Sequence, residues 1–422
     1  MYPAQNFDHL YEQHVDNASF LWVLRCHVIT QPHYNLVDIK ELDERIDSHL
    51  DALMLSIDQA WKYCLLSLEF EEPGEVFTAA VIAIRSQNPQ KIQQAVEVGL
   101  KNDDTFKGLV SALGWLPSAQ AHPWIKKFIF SKDIQHKYLA IAVCSIRREN
   151  PEIFGMSLGE LLQREDCISN VKLYARCLRL IGECRLHEFM PALNQTMKSN
   201  EAAVCFWANW SALLLGNTAA VENLKAFVME VGPYQQKAIQ LTFRVLPVDQ
   251  GRVWIGKLLK NNNQIRNVIK AVAVLGDPHV VNWLIQLMQQ AHLARLSGEA
   301  FTTITGIDLE QYQLSKEGLD RIWQSNDPGD DLDDEDIEMD EDENLLWPDA
   351  KKVMLVWQEC NKNFEVGKRY FMGDAERRSI KQESLMEKFE LLGQRQRYGV
   401  SLELFLCGAV KLLPSIEVKS NE

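Results

Sequence analysis

The chain has 422 residues, 46% of them hydrophobic and 24% charged, a composition that excludes collagen-like or wholly disordered structure. Its net charge of −14 is a local effect: twelve acidic residues and no basic one stand between Asp327 and Glu343, and the remainder is near neutral. The longest apolar run, Ala202 to Leu215, is broken by Asn209 and Ser211 and falls short of a bilayer span, so no membrane association is expected.

The start, Met1-Tyr2-Pro3-Ala4-Gln5, carries neither a basic nor an apolar leader region, and a cytoplasmic location is expected. Residues 1–70 read as an N-terminal helical cap in which Leu42, Ile46, Leu50 and Leu53 form one stripe. From 71 to 299 apolar helices end in breaks near 86, 114, 148, 182, 216, 247 and 276, at spacings of 28 to 34 residues. A period of that size marks stacked helical pairs. The predicted fold class is therefore all-α, an α-solenoid with non-repeating helical ends.

The unit is clearest where Ile265, Val268, Ile269, Val272 and Leu275 make one helix face. Gly276 then stops the helix in a left-handed conformation. Asp277 caps the next one, and Pro278 sits at its first position, where no amide donor is needed. Val281, Leu284, Ile285 and Met288 repeat the pattern. Arg148 and Pro247 stand where glycine is expected, so those two repeats are predicted to be irregular.

After about 295 the period is expected to be lost. Residues 300–347 read as a connecting segment whose acidic part, 327–343, is predicted to be a mobile loop. Trp347-Pro348-Asp349 opens a C-terminal helical region, 348–422, with a turn-rich stretch from Gly367 to Gly373 inside it.

The nine cysteines are an odd number without a Cys-x-x-Cys pair, which points to reduced, mostly buried thiols. Asp331, Asp333 and Glu335 alternate like calcium ligands, but Asp336 occupies the position where such a loop requires glycine. Trp207, Trp210, Trp254 and Trp283 fall on repeat helices and read as core. No nucleophile triad, phosphate-binding glycine loop or zinc spacing is present. No cofactor or metal is expected.

Collective charge is the less ordinary feature. The second helices of the pairs, taken as 123–132, 187–199, 221–230, 252–260 and 279–290, hold eight basic residues against three acidic ones. The basic residues are Lys126, Lys127, Lys132, Lys198, Lys225, Arg252, Lys257 and Lys260. A mildly basic surface of this kind could take an acidic partner or, at rest, the chain's own acidic segment. Arg369 and Tyr370 read first as a turn lock, and Arg395 and Arg397, on different helix faces, as one paired and one exposed side chain. With Lys126, Lys127, Lys225, Arg252, Lys257 and Lys260 they complete the candidate partner-binding set.

The run Ala271-Val272-Ala273-Val274-Leu275-Gly276-Asp277-Pro278 resembles the short bacterial HEAT-like repeats of bilin lyases. The flanks carry a second resemblance. Gln13-His14, Phe20-Leu21-Trp22, Pro32-His33-Tyr34, Leu42-Asp43-Glu44-Arg45-Ile46 and His49 to Leu53 supply it at one end, continued by Glu72 to Phe77. Ile304-Thr305-Gly306, Trp347-Pro348-Asp349, Arg369-Tyr370 and Gly393-Gln394-Arg395-Gln396-Arg397 supply it at the other. Over almost its full length the chain resembles a functionally uncharacterised family of Gram-negative bacterial HEAT-repeat proteins often encoded in type VI secretion clusters. Tyr398 to Ser401 depart from the small residues usual there.

The resemblance implies a protein partner, a secretion-system component or effector, and a role as scaffold, adaptor or effector-loading factor rather than enzyme. An immunity protein that occludes a cognate toxin is the alternative, and a bilin-lyase-like enzyme a further one. Some HEAT-repeat hydroxylases hold two irons with repeated His-Glu dyads. Here His187-Glu188 stands alone, its counterparts being Val221 and Val281. The near-neutral body does not suit nucleic acid.

Overall fold

Helix boundaries follow the sequence punctuation closely. The computed structural model describes residues 8–316, 341–375, 389 and 392–419. The chain is mostly helical, with one two-stranded ribbon and one isolated bridge among the described residues.

Helices α1 (Asp8–Val28), α2 (Leu36–Met54) and α3 (Ile57–Ser67) come first. There follow α4 (Pro73–Arg85), α5 (Pro89–Gly99), α6 (Asp103–Trp115), α7 (Ser118–Ile129) and α8 (Ile134–Arg147). Two short helices, α9 (Leu158–Gln163) and α10 (Glu165–Ser169), precede α11 (Val171–Glu183) and α12 (Met190–Thr196). Next come α13 (Ala202–Leu214), α14 (Ala220–Met229), α15 (Gln235–Val245) and α16 (Val248–Leu258). The series closes with α17 (Ile265–Leu275), α18 (Val281–Leu287) and α19 (Ala291–Thr305).

The longer helices α4, α6, α8, α11, α13, α15, α17 and α19 each pack on the next in that order. Three of the intervening helices join the long helices on either side of them: α5 joins α4 to α6, α7 joins α6 to α8, and α14 joins α13 to α15; α12, α16 and α18 pack chiefly on the long helix that follows. Leu42, Ile46, Leu50 and Leu53 are buried as the stripe predicts, and α1 covers α4. Val268, Ile269, Val272 and Leu275 are likewise buried, with Ile265 half-buried at the helix start.

The periodic glycines have two different physical roles. Gly216 (φ +94) and Gly276 (φ +71) take the left-handed conformation that ends a helix. Gly114 and Gly182 lie inside α6 and α11 instead. A Cβ on Gly182 would meet Ser211 Oγ of α13 at 2.5 Å, and one on Gly114 would collide with the Ile146 side chain of α8. Those two glycines let neighbouring long helices approach, so the expectation that they terminate helices is corrected. Helix α11 ends at Glu183, and Arg185, two residues beyond it, takes the left-handed conformation at φ +54. Arg148 (φ +57) caps α8 in the same conformation, and Pro247 opens α16 and thereby stops α15.

The period also runs one unit further than the sequence suggested. Helix α19 packs on α17 and ends at Gly306 (φ +71), so the expected boundary at 299 falls inside a helix. Asp349 caps a helix over Ala350–Cys360, as Trp347-Pro348-Asp349 indicated, and this helix rests on α18. The turn-rich stretch is a two-residue hairpin, with Tyr370 opposite Ala375 and Phe371 opposite Asp374. Met372 (φ +52) and Gly373 (φ +83) supply the two positive φ values such a turn needs. A last helix spans Gln394–Leu406. Most of the acidic segment, and with it Asp331, Asp333, Glu335 and Asp336, lies outside the described residues.

Candidate functional site

The last carbonyls of a helix have no partner within it, and a row of helix ends is therefore a row of acceptors. Here the ends of the long helices face the C-terminal part of the chain, which runs back along them from α17 to α1. The Tyr370 amide donates to Gly276 O at 2.7 Å, and the Met372 and Gly373 amides donate to Thr303 O (2.8 Å) and Ile304 O (3.1 Å). Arg369 donates to the carbonyls of Arg244 and Leu246, the latter at 2.7 Å. Further back, Leu413 N donates to Glu183 O at 3.1 Å, Arg148 Nε to Leu413 O at 2.7 Å, and Arg25 Nη2 to Val418 O at 2.7 Å. Lys419 pairs with Asp47 on α2. A cation near a helix C-terminus also meets the negative end of its dipole.

Arginine–carboxylate pairs fill the seam between helix ends and C-terminal segment. Glu183, 1% exposed, accepts from Arg148 (2.9 Å), Arg179 Nε (2.7 Å) and Ser145 Oγ (2.5 Å). Arg244 Nε lies 3.2 Å from Glu403, both almost fully buried. Arg395 meets Glu299 at 2.6 Å, yet burial outweighs Arg395 and raises the Glu299 pKa. For Glu417 burial also pushes upward, but Arg179, Arg176 and Arg148 together bring it below the ordinary value. Carboxylates so occupied hold the seam together.

Asp277 offers a test. Burial would raise its pKa, but Arg252 Nε (2.6 Å) and the amides of Gly367 (3.1 Å) and His279 (3.2 Å) hold it below the ordinary 3.8. A depressed folded-state pKa contributes stability above the unfolded value, lost as pH falls through the folded one. Protection of the Gly367 and Tyr370 amides in hydrogen exchange is expected to drop below about pH 4. In Asp277→Asn that drop should flatten. The same pH profile in both proteins would refute this assignment.

The ten sequence-derived residues separate into two groups. Arg252, Arg369, Tyr370, Arg395 and Arg397 belong to the C-terminal side. Arg369 and Tyr370 do lock a turn onto the helix ends, with Tyr370 Oη accepting from the Glu365 amide at 2.8 Å. Arg395 pairs with Glu299 as one of the two arginines was expected to; Arg397, expected to be the exposed one, is buried against the Phe389 ring at 4.5 Å. On the second helices Lys126, Lys127, Lys257 and Lys260 are exposed, and Lys225 is half-exposed beside Glu222 (3.4 Å) and Trp254 (5.2 Å). Sequence reasoning missed Arg25, Glu183, Arg244, Glu403 and Gln394; only Arg148, an arginine in a glycine's place, carried a signal.

Trp210 and Trp254 are buried, and Trp207 and Trp283 are half-buried against the same core. His187 and Glu188 are exposed. Of the nine cysteines, all free, five are buried and Cys407 is exposed. Among the described residues no cluster of three or more metal-ligating side chains occurs, and no helix is long and apolar enough to cross a membrane.

The acidic segment's described end lands on long helices rather than on the second ones. Glu341 pairs with Lys270 and Asp342 with Arg266 (2.5 Å), both on α17; Arg295 of α19 donates to Glu343 O and stacks over Trp347 at 4.8 Å.

No protein-family profile matches the chain, and no functionally described protein does. Among solved structures, an engineered protein determined by a structural-genomics consortium is similar at a TM-score of 0.32 and 12% identity, over 84% of this chain and 96% of its own. At that score the similarity carries no argument.

Proposed function

We propose that the chain is a non-enzymatic, cytoplasmic scaffold or adaptor, an α-solenoid of HEAT-like helical pairs that docks a protein partner across its second helices. The supporting observation is the division of its basic residues. Those near the long-helix ends are consumed internally, whereas Lys126, Lys257 and Lys260 face solvent with no carboxylate partner among the described residues. Apolar side chains stand beside them: Phe130 next to Lys126 and Lys127, and Val253 and Leu259 next to Lys257 and Lys260, all 45–57% exposed. Apolar contact area rimmed by one sign of charge suits an acidic protein surface. Association with type VI secretion rests on the sequence resemblance.

Charge reversal at Lys126, Lys127, Lys257 and Lys260 is expected to leave the fold intact and weaken partner binding roughly tenfold or more, mainly through association rate. A pull-down from the native host with mass spectrometry, followed by affinity measurement at two salt concentrations, checks this. Equal recovery by both proteins would sink the docking surface. Rescue of growth on co-expression with a neighbouring toxin would instead favour the immunity reading.

A further inference from the structure

A cavity of about 430 Å³ lies where α1 and α2, the end of α8 and the C-terminal segment meet. Among the described residues five basic side chains and no acidic one line it, Arg25 and Arg148 among them; its walls are otherwise largely apolar, including Leu36, Ile39 and Leu413. The size is that of a small-molecule site.

Gln394 is the unexpected group. Its side chain lines the cavity and is 1% exposed, yet among the described residues neither Nε2 nor Oε1 has a hydrogen-bond partner. Only its backbone is engaged, the amide donating to Tyr34 O at 2.8 Å. A buried amide with all its capacity unused is unfavourable unless something else meets it.

Nearby donors are also incompletely used. Arg25 employs Nε on Asp43 (2.5 Å) and Nη2 on Val418 O, and Arg148 employs Nε on Leu413 O and Nη1 on Glu183 and Ser145 O. Among the described residues, Arg25 Nη1 and Arg148 Nη2 have no partner. The carboxylates that neutralise these arginines, Asp43 and Glu183, are not part of the lining. Open arginine donors and an amide among apolar walls match a planar carboxylate on an apolar body better than a fully hydrated anion.

We propose that this cavity binds a small molecule with a carboxylate head and an apolar body, the head meeting Gln394 and the open guanidinium groups. The site is separate from the docking surface on the second helices and stands without it.

Calorimetry and thermal shift on the full chain, with octanoate, octylammonium and inorganic phosphate as probes, test the proposal. Octanoate is expected to bind saturably and raise Tm, while octylammonium and phosphate do neither. In Gln394→Leu the unliganded protein should melt no lower than wild type, because the orphan amide is gone, and octanoate should bind at least tenfold more weakly. Leu412→Glu, on an exposed lining residue, places a negative charge at the cavity without disturbing the core and should also weaken octanoate. Equal binding of octanoate and octylammonium, phosphate binding without octanoate binding, no octanoate binding at all, or octanoate affinity unchanged in both variants would each overturn it.

Discussion

Gly276→Val is expected to destabilise the protein by roughly 3–5 kcal/mol and to release the 365–375 segment to proteases, the sum of two effects. Gly276 sits at φ +71, where a side chain costs about 1–2 kcal/mol and a β-branched one the most. A Cβ there would also strike the Tyr370 carbonyl oxygen, well under 3.0 Å away, exactly where the hairpin docks. Neither neighbour can yield without losing the bond from Tyr370 N to Gly276 O. Gly216→Ala is the control: φ is +94 but nothing lies within 4 Å, so only the backbone strain of about 1 kcal/mol should appear. Chemical denaturation and limited proteolysis separate the two cases. Equal losses at both glycines would show that docking against Gly276 contributes nothing.

The second large effect is expected at Arg25. Its Nε–Asp43 pair, 2.5 Å long, has side chains only 3% and 0% exposed, and the same guanidinium holds Val418 O and lies 5.3 Å from the Trp115 ring. Arg25→Met leaves the Asp43 carboxylate buried without this partner, which typically costs about 3–5 kcal/mol. Asp43→Leu in the same background removes the buried carboxylate as well and should recover part of that loss. A double-mutant cycle by urea denaturation measures the difference. If the double variant is as unstable as Arg25→Met alone, the lost packing on Trp115 and the freed Val418 carbonyl account for the effect, not the loss of the Arg25–Asp43 pair.

The long helices were legible in the sequence because their boundaries are written locally. Apolar spacing, a glycine or proline and an Asx cap each act within a few residues, and the observed ends at Arg85, Trp115, Arg147, Glu183, Leu214, Val245 and Leu275 lie within about two residues of the breaks. The role of each glycine was not legible. Gly182 and Gly216 look alike in sequence, and only the position of Ser211 on the neighbouring helix shows that one serves packing and the other termination. Helix α19 was missed because Gly298 and three threonines dilute its pattern, although Gly306 ends it as Gly276 ends α17.

The seam was almost wholly hidden. Arg25 and Val418 are 393 residues apart and Lys419 and Asp47 372, separations over which no spacing rule operates. The exposed lysines of the second helices were readable as a charge bias. Of the five candidates that turned inward or to the seam, Arg252 was read within the same charge bias, Arg369 and Tyr370 as a turn lock, and Arg395 and Arg397 as one paired and one exposed side chain; none of those patterns located the seam.

The returning C-terminal segment changes how such an array should come apart. A simple linear array couples only nearest neighbours, so it frays from its ends and can populate half-melted species. In this chain one tail touches α17, α15, α11, α8, α2 and α1 in turn, so opening any one unit forfeits bonds that also belong to distant ones. The interaction range becomes the length of the molecule, and melting becomes closer to all-or-none. During synthesis the order is reversed: the helices emerge first as a loosely coupled row, residues 369–373 then tie α15, α17 and α19 together, and the coupling reaches α11, α8, α2 and α1 only with residues 413–419.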